Sequence, residues 1–323
     1  MPSLEAFEAY DASVVEQIAR NEVKPSPVKA ALDLAGKPVA KVLEIAHRSD
    51  NKYIRKAVHS IDDTIEKSLR KTIQAANGLT NADSIRKEYQ KKFKLDVAEL
   101  EAVRSFSLQH KDQVADAFDI SNAFIVATEG AVMGAATTLL EAVPFAQIAI
   151  PSVVIADVAA SMTMMSRHIC QIAGAYGYPS SDPANIPHVL AAMAPTSASS
   201  DEGFMVTKAA ALQEIRETAK FAAKHSGELA KGLTKEAAYP QLLHLMRYVA
   251  QRLGIVITEK ELGLLIPIAG AVLNGGLNVA FQQMNHTNAK DYFRRLHLYD
   301  RYGEAAVQEA IEAAKGKWAP SGR

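Results

Sequence analysis

The chain has 323 residues and a mass of 34.9 kDa, with 36 Lys+Arg balanced by 36 Asp+Glu, 48% hydrophobic and 22% charged residues. That composition belongs to a globular protein with a sizeable core, and zero net charge excludes a dedicated nucleic-acid binder, which needs excess cations to neutralise phosphates. A single cysteine, Cys170, excludes an internal disulfide and a cysteine-based zinc site.

Helical periodicity dominates and no run of alternating strands is found, so an all-α, compact multi-helix bundle with a buried apolar helical hairpin is predicted. The acidic N-terminus lacks the basic start and apolar run of a signal peptide, and a cytoplasmic location is expected, with attachment at the inner face of the membrane as an option. Over 4–20, Leu4, Phe7, Tyr10, Val14 and Ile18 fall on one face of an amphipathic helix. Lys24-Pro25-Ser26-Pro27 ends it, with Ser26 as the N-cap of the next, and Gly36-Lys37-Pro38 is a further break. Helices are predicted over 38–48, 52–76 and 82–91, the second with Ile54, Val58, Ile61, Ile65, Leu69 and Ile73 as its buried stripe. The densest basic patch is Arg86-Lys87-Glu88-Tyr89-Gln90-Lys91-Lys92-Phe93-Lys94. Its cations Arg86, Lys87, Lys91, Lys92 and Lys94 suit anionic lipid headgroups. The alternative is a solvated helix end with Tyr89 and Phe93 in the core.

Residues 122–143 and 152–176 read as two long helices joined around Pro144 and Pro151, with Gly130 and Gly134 at a close-packing spacing. Gly177 is expected as a left-handed cap, and Asp182-Pro183 as the start of a helix through Ala194. Residues 195–203 suit a surface loop. Helices follow over 204–230 and 235–253, Thr258 and Glu261 suggest a capping box opening another, and Gly275-Gly276 suggest a bend or end. Helices near 279–300 and 303–315 close the chain.

The charge map is uneven. Ser121–Ser200 holds only five charged side chains in 80 residues (Glu129, Glu141, Asp157, Arg167 and Asp182), and Leu262–Ala289 holds none in 28. Such blocks are buried in the protein, buried against a partner, or able to enter a bilayer. Neither is a clean membrane span of about 20 apolar residues. Carboxylates and prolines cut the first, and Pro267, Asn274, Asn278, Gln282 and Gln283 interrupt the second.

Within these blocks, Glu129 and Asp157 are the candidate site residues, because an unpaired carboxylate in an apolar helix costs several kcal/mol. Arg167, Arg294 and Arg295, with the amides of Asn274 and Asn278, are candidate partners, in a buried polar network that fixes helix register, around a ligand or ion, or in acid/base catalysis. No metal site is predicted, since the nine histidines are scattered singly and His168 and Cys170 do not share a helical face. Asp157 and His168 share a face but lie about 16 Å apart. No nucleophile elbow, P-loop or dinucleotide fingerprint is present; no catalytic residue or cofactor is assigned, and the reading leans away from an enzyme.

Glu129-Gly130-Ala131 with Gly134-Ala135, the turn at Pro144, and the apolar helix into Tyr176-Gly177-Tyr178 are followed by Ile266-Pro267-Ile268-Ala269-Gly270-Ala271, Asn278, Phe293-Arg294-Arg295 and Arg301-Tyr302-Gly303. In this order the segments resemble the EcsC family of mostly bacterial proteins, across residues 25–303. The chain departs after Tyr178, reading Pro179-Ser180-Ser181-Asp182-Pro183 where the family pattern places an acid directly after the aromatic. The resemblance implies a helical fold, no general enzymatic activity, and a membrane context for some members, the family being named for a neighbour of an ABC transporter. It divides the chain into an N-terminal amphipathic helix (1–24), an EcsC-like domain (25–303) and a C-terminal helix and tail (304–323).

The function expected first is membrane association, by lipid contact or conditional insertion of the apolar hairpin. The alternatives are an interaction module docking on a transporter or other protein, and a hydrolase or small-ligand binder with a buried carboxylate pocket. Partners are therefore a membrane lipid or a membrane protein, and no nucleic acid.

Overall fold

A computed structural model of the chain describes residues 6–24, 28, 52–119, 150–194, 215, 217–222, 224, 240–265 and 270–318. The expected cap at Ser26 and helix over 38–48, the helix over 122–143, the loop over 195–203 and most of the helix over 204–230 lie outside these residues. Among the described residues there are nine α-helices and no strand. They are α1 (Ala9–Val23), α2 (Lys52–Ala75), α3 (Ala82–Phe93), α4 (Leu108–Asp116), α5 (Ile150–Ala175), α6 (Ile186–Met193), α7 (Pro240–Leu265), α8 (Gly270–Tyr302) and α9 (Glu304–Lys315).

α5 lies at the centre and packs on α2, α4, α6 and α8. Every residue from His168 to Ser180 is buried, which small and apolar side chains permit. Gly174 is one cause: a Cβ there would sit 2.6 Å from Ile85 Cδ1 and 2.7 Å from Thr80 Cγ2, so the glycine lets α3 and its lead-in approach the helix. The expected stripe of α2 is buried at Ile61, Ile65, Leu69 and Ile73, and that of α1 at Phe7, Val14 and Ile18. The terminal helices α1 and α9 pack on each other, so the two ends of the described chain close one side of the bundle. Cys170 is a free, fully buried thiol that burial pushes up to about 12, inert at neutral pH.

The turn after α5 follows a Schellman pattern. Gly177 has φ 87°, Tyr178 N–H donates to Ala173 O (2.8 Å) and Gly177 N–H to Gly174 O (3.0 Å). Asp182 caps the short 3-10 turn Pro183–Asn185 leading into α6. α1 starts at Ala9, five residues later than expected, and two expected breaks are absent. Thr258 does not start a helix, because α7 runs unbroken to Leu265; Gly275-Gly276 does not end one, because α8 runs 33 residues through it. A glycine pair costs about 1 kcal/mol per residue in a helix interior. Tertiary packing of the rest of α8 on α4, α5 and α6 outweighs that cost.

Candidate functional site

Buried charged side chains from several helices converge on α4, a helix of nine residues. Ser107 caps it, its hydroxyl accepting from His110 N–H (3.3 Å). Its inward face carries two charged residues, Lys111 and Asp112, only 2% and 1% exposed. A buried carboxylate persists when its lone pairs are filled. Asp112 accepts from the Tyr10 hydroxyl (2.7 Å), from the Tyr176 hydroxyl, and from Arg294 through Nε (3.0 Å) and Nη2 (2.8 Å). Arg294 also donates to Asp291 (3.1 Å), which accepts from Asn21 (2.8 Å). Asp112 thereby ties together α1, α4, α8 and the end of α5.

The facing side of α8 presents His286, Lys290, Arg294, His297 and Arg301 at spacings of three and four, one continuous stripe. Lys290 pairs with Asp116, Arg294 with Asp112, and Arg301 with Glu8 and Asp11. On an adjacent face Arg295 pairs with Glu22, which also meets Lys315 (2.5 Å).

A cavity of about 520 Å³ opens at the Lys111 end of this stripe, lined by Arg104, Lys111, Tyr176, Tyr178, Phe293, His297 and Arg301, with Glu8 and Asp300 among its acids. Arg104 builds one wall. Its guanidinium donates to Gly177 O (2.7 Å) and Asn185 Oδ1 (2.9 Å) and lies 4.2 Å over the Tyr178 ring. Lys111 donates to Arg104 O (2.6 Å) and lies 2.9 Å from His297 Nδ1. Burial pushes the Lys111 amine down to about 8, helped by Arg104 and opposed by Asp300. Burial, with Lys111 and Arg301, pushes His297 down to about 4, so its ring is neutral and Nδ1 accepts from Lys111. The proton then sits on Nε2, which is buried without a hydrogen-bond partner among the described residues.

At the other end of the stripe two histidines from distant parts of the chain meet. His168 Nε2 lies 3.0 Å from His286 Nδ1, and His286 Nε2 lies 3.3 Å from Asp116 Oδ1. Asp119 Oδ1 is 3.7 Å from His286 Nδ1. Burial and the neighbouring His286 push His168 down to about 3, so it is neutral. Burial raises the Asp116 carboxyl, but hydrogen bonds from His286 and Lys290 outweigh it and hold the group at about 2.

Residues 37–297 match the family model described as the EcsC protein family. The chain belongs to the EcsC family. No curated protein and no solved structure matches it.

Of the residues singled out in this EcsC chain by sequence, Arg294 lies in the buried network, but its partners are Asp112 and Asp291. Asp157 is buried in the first half of α5, and Arg167 is exposed on the same helix, about 15 Å further along by the helix rise. Glu129 lies outside the described residues, as do the side chains of Asn274 and Asn278. In the basic patch, Arg86 donates to Val97 O (3.1 Å) and Ala98 O (2.9 Å), and Lys92 to Gln113 O (2.9 Å), so these two brace the segment after α3. Lys87, Lys91 and Lys94 are exposed, Lys91 within 3.5 Å of Glu88. Tyr89 is buried, its hydroxyl donating to Ala175 O (2.7 Å).

Sequence reading missed Lys111, Asp112, Asp116, Asp119, Arg104 and His297. The signal was present in Ser107 as an N-cap and in Asp112 and Asp116 one turn apart, but in a nine-residue helix whose buried face is Leu108, Lys111, Asp112, Val114 and Ala115 the two charges interrupt the apolar stripe that would reveal it.

Proposed function

We propose that this EcsC protein binds a small anionic ligand, bearing a carboxylate or phosphate, in the cavity beside Lys111. The observation that carries this reading is a buried lysine in the wall of a cavity of about 520 Å³, two of its donors directed at Arg104 O and His297 Nδ1. A third N–H remains for an acceptor, because an ammonium has three. A cavity of this size with aromatic walls and a few convergent polar groups suits a small organic molecule. Tyr178 and Phe293 supply the apolar wall, and Glu8 and Asp300 give room for a cationic group on the same ligand. The reading keeps a small-ligand pocket but builds it from residues other than Glu129 and Asp157.

The test is a thermal-shift screen of carboxylates and phosphates on the full chain, followed by calorimetry on Lys111→Met. A charge-assisted hydrogen bond contributes about 1.5–3 kcal/mol, so this substitution should weaken binding about 10- to 100-fold. A hit that binds Lys111→Met as tightly as wild type refutes the assignment, as does a screen in which no anion raises Tm.

A second reading, peripheral contact with anionic lipid, is supported by Lys87, Lys91 and Lys94, exposed at successive turns on one face of α3 and its cap. At about 1 kcal/mol each, replacing the three by glutamine should weaken attachment to anionic vesicles on the order of a hundredfold. Flotation that ignores both the substitutions and added salt would remove α3 from the account. Among the described residues no helix is long and apolar enough to cross a membrane.

A further inference from the structure

We propose that Asp119, His168 and His286 form a binding site for one divalent transition-metal ion of the Zn²⁺ class, with a coordination position left open. Their ligand atoms all lie within 4.8 Å of one another. Two ligands at about 2.05 Å from a tetrahedral ion lie about 3.4 Å apart. The observed 3.0 Å between the histidine nitrogens and 3.7 Å from His286 to Asp119 bracket that spacing. His168 and His286 come from α5 and α8, which pack on each other, and Asp119 from just beyond the end of α4, which packs on both, so two of the three ligands are held by packed helices.

The surroundings support the same assignment. His286 Nε2–H donates to Asp116, which Lys290 holds in turn, so the proton is fixed on Nε2 and the Nδ1 lone pair faces His168 and Asp119. A carboxylate behind a ligating histidine is the usual outer partner of such a metal. Asp119 Oδ1 is buried with no hydrogen-bond partner among the described residues, although the side chain as a whole is partly open. Without an ion, the His168 Nε2 proton bridges to His286 Nδ1. A tautomer shift moving that proton to His168 Nδ1 frees the Nε2 lone pair, beside that of His286 Nδ1, for an ion. Two imidazoles and one carboxylate are too nitrogen-rich for Mg²⁺ or Ca²⁺, and with no thiolate they do not favour Cu⁺. Three protein ligands leave a position for water or a substrate atom. None of the three lines the cavity beside Lys111, and His286 and His297 are about 16 Å apart along α8, so this site stands or falls separately from that pocket.

The experiment is titration of chelator-treated full-length protein with Co²⁺, read by its visible d–d absorption, with Zn²⁺ added to displace it. One equivalent of Co²⁺ should bind, and Zn²⁺ should bleach the band. Asp119→Asn, a partly exposed and near-isosteric change, should weaken Co²⁺ at least tenfold, and His286→Gln should abolish the band. Asp116→Asn, behind the ligand, should weaken binding by about 10- to 100-fold, while Lys111→Met should leave it unchanged. A wild-type chain without a stoichiometric band overturns the proposal. So does Asp119→Asn with wild-type circular dichroism and undiminished affinity, a result that does not depend on whether His286→Gln folds.

Discussion

Asp112 is the point where the energetics of the fold can be tested most directly. Asp112→Asn keeps the volume but removes the charge, and it turns an amide toward the donors of Arg294 in place of one carboxylate oxygen. The carboxylate now accepts from two tyrosine hydroxyls and two guanidinium nitrogens at 1% exposure. Breaking a buried ion pair on one side costs about 3–5 kcal/mol, and Asp291, still paired with Arg294, keeps the value within that range and not above it. For a chain of this size about 4 kcal/mol corresponds to a fall in Tm of about 6 °C. Arg294→Met should cost a similar amount, since it leaves Asp112 and Asp291 without their cation. In the double variant the buried charge left by each single change is partly removed, so its cost should fall below the sum by about 2–3 kcal/mol. The assay is urea unfolding followed by far-ultraviolet circular dichroism on all four proteins. Additivity within about 0.5 kcal/mol, or a cost below about 1 kcal/mol for Asp112→Asn, would show that the pair is not coupled as its geometry requires.

Gly177→Ala should destabilise by at least 1–2 kcal/mol, because an L side chain at φ 87° is strained and its Cβ would lie 2.9 Å from Arg104 N; a Tm within 1 °C of wild type, on the order of 0.5 kcal/mol, would contradict the packing of that turn. Lys111 supplies a pH signature. Its folded value of about 8 lies below the ordinary 10.5, so between these values the unfolded chain binds the extra proton and stability attributable to this group rises with pH. Buried Tyr10, Tyr89 and Tyr176, all raised by burial, act oppositely above pH 10, where the unfolded chain loses their protons first. The difference in stability between wild type and Lys111→Met should therefore shift toward wild type from about pH 8 to about 10, and a flat difference would place Lys111 in water. His297, held near 4 against an ordinary 6.5, contributes with the same sign as Lys111 at lower pH: the unfolded chain gains a proton first, so stability falls as pH drops from about 6.5 to 4. His297→Gln should remove that slope from acid denaturation curves, and an unchanged slope would assign it elsewhere.

The helices were readable where an apolar stripe was regular. α2 and α5 lie close to their expected limits because Ile61/Ile65/Leu69/Ile73 and the apolar run through Ile172 repeat at helical spacing and are buried, whereas α1 buries Val14 and Ile18 as expected but starts at Ala9 and not at Leu4. The joins within α7 and α8 were not, because a capping box at Thr258 and glycines at 275–276 are local signals that tertiary packing overrides. The family was legible from the order of short motifs, and the Arg294 and Gly177 positions carried structural meaning. The ionic core was hidden for a different reason. Arg294 pairs across 182 residues with Asp112, and His168 meets His286 across 118. Single-sequence spacing finds ligands one or two turns apart on one helix and is blind to partners brought together by three.

That long-range pairing also constrains any opening of the apolar segments. α8 is two helices in chemical character: the charge-free run ends at Ala289, and the ionic stripe of Lys290, Arg294 and Arg301 follows at once. The charge-poor block over 121–200 contains α5, whose end is fixed by Tyr176 on Asp112, the same carboxylate that binds Arg294. Both charge-poor segments are thus pinned at one residue, and an excursion of either into lipid has to pivot there or break that hub. Asp112→Asn removes the pin without adding apolar surface. If conditional insertion is a property of this protein, salt-resistant flotation on vesicles should rise in Asp112→Asn by a factor comparable to its loss of stability, about 10²- to 10³-fold for 3–4 kcal/mol. Equal flotation of the two proteins, with the stability loss confirmed, would mean that opening at this hub exposes no lipid-seeking surface, and the ionic core would then serve register and the cavity alone.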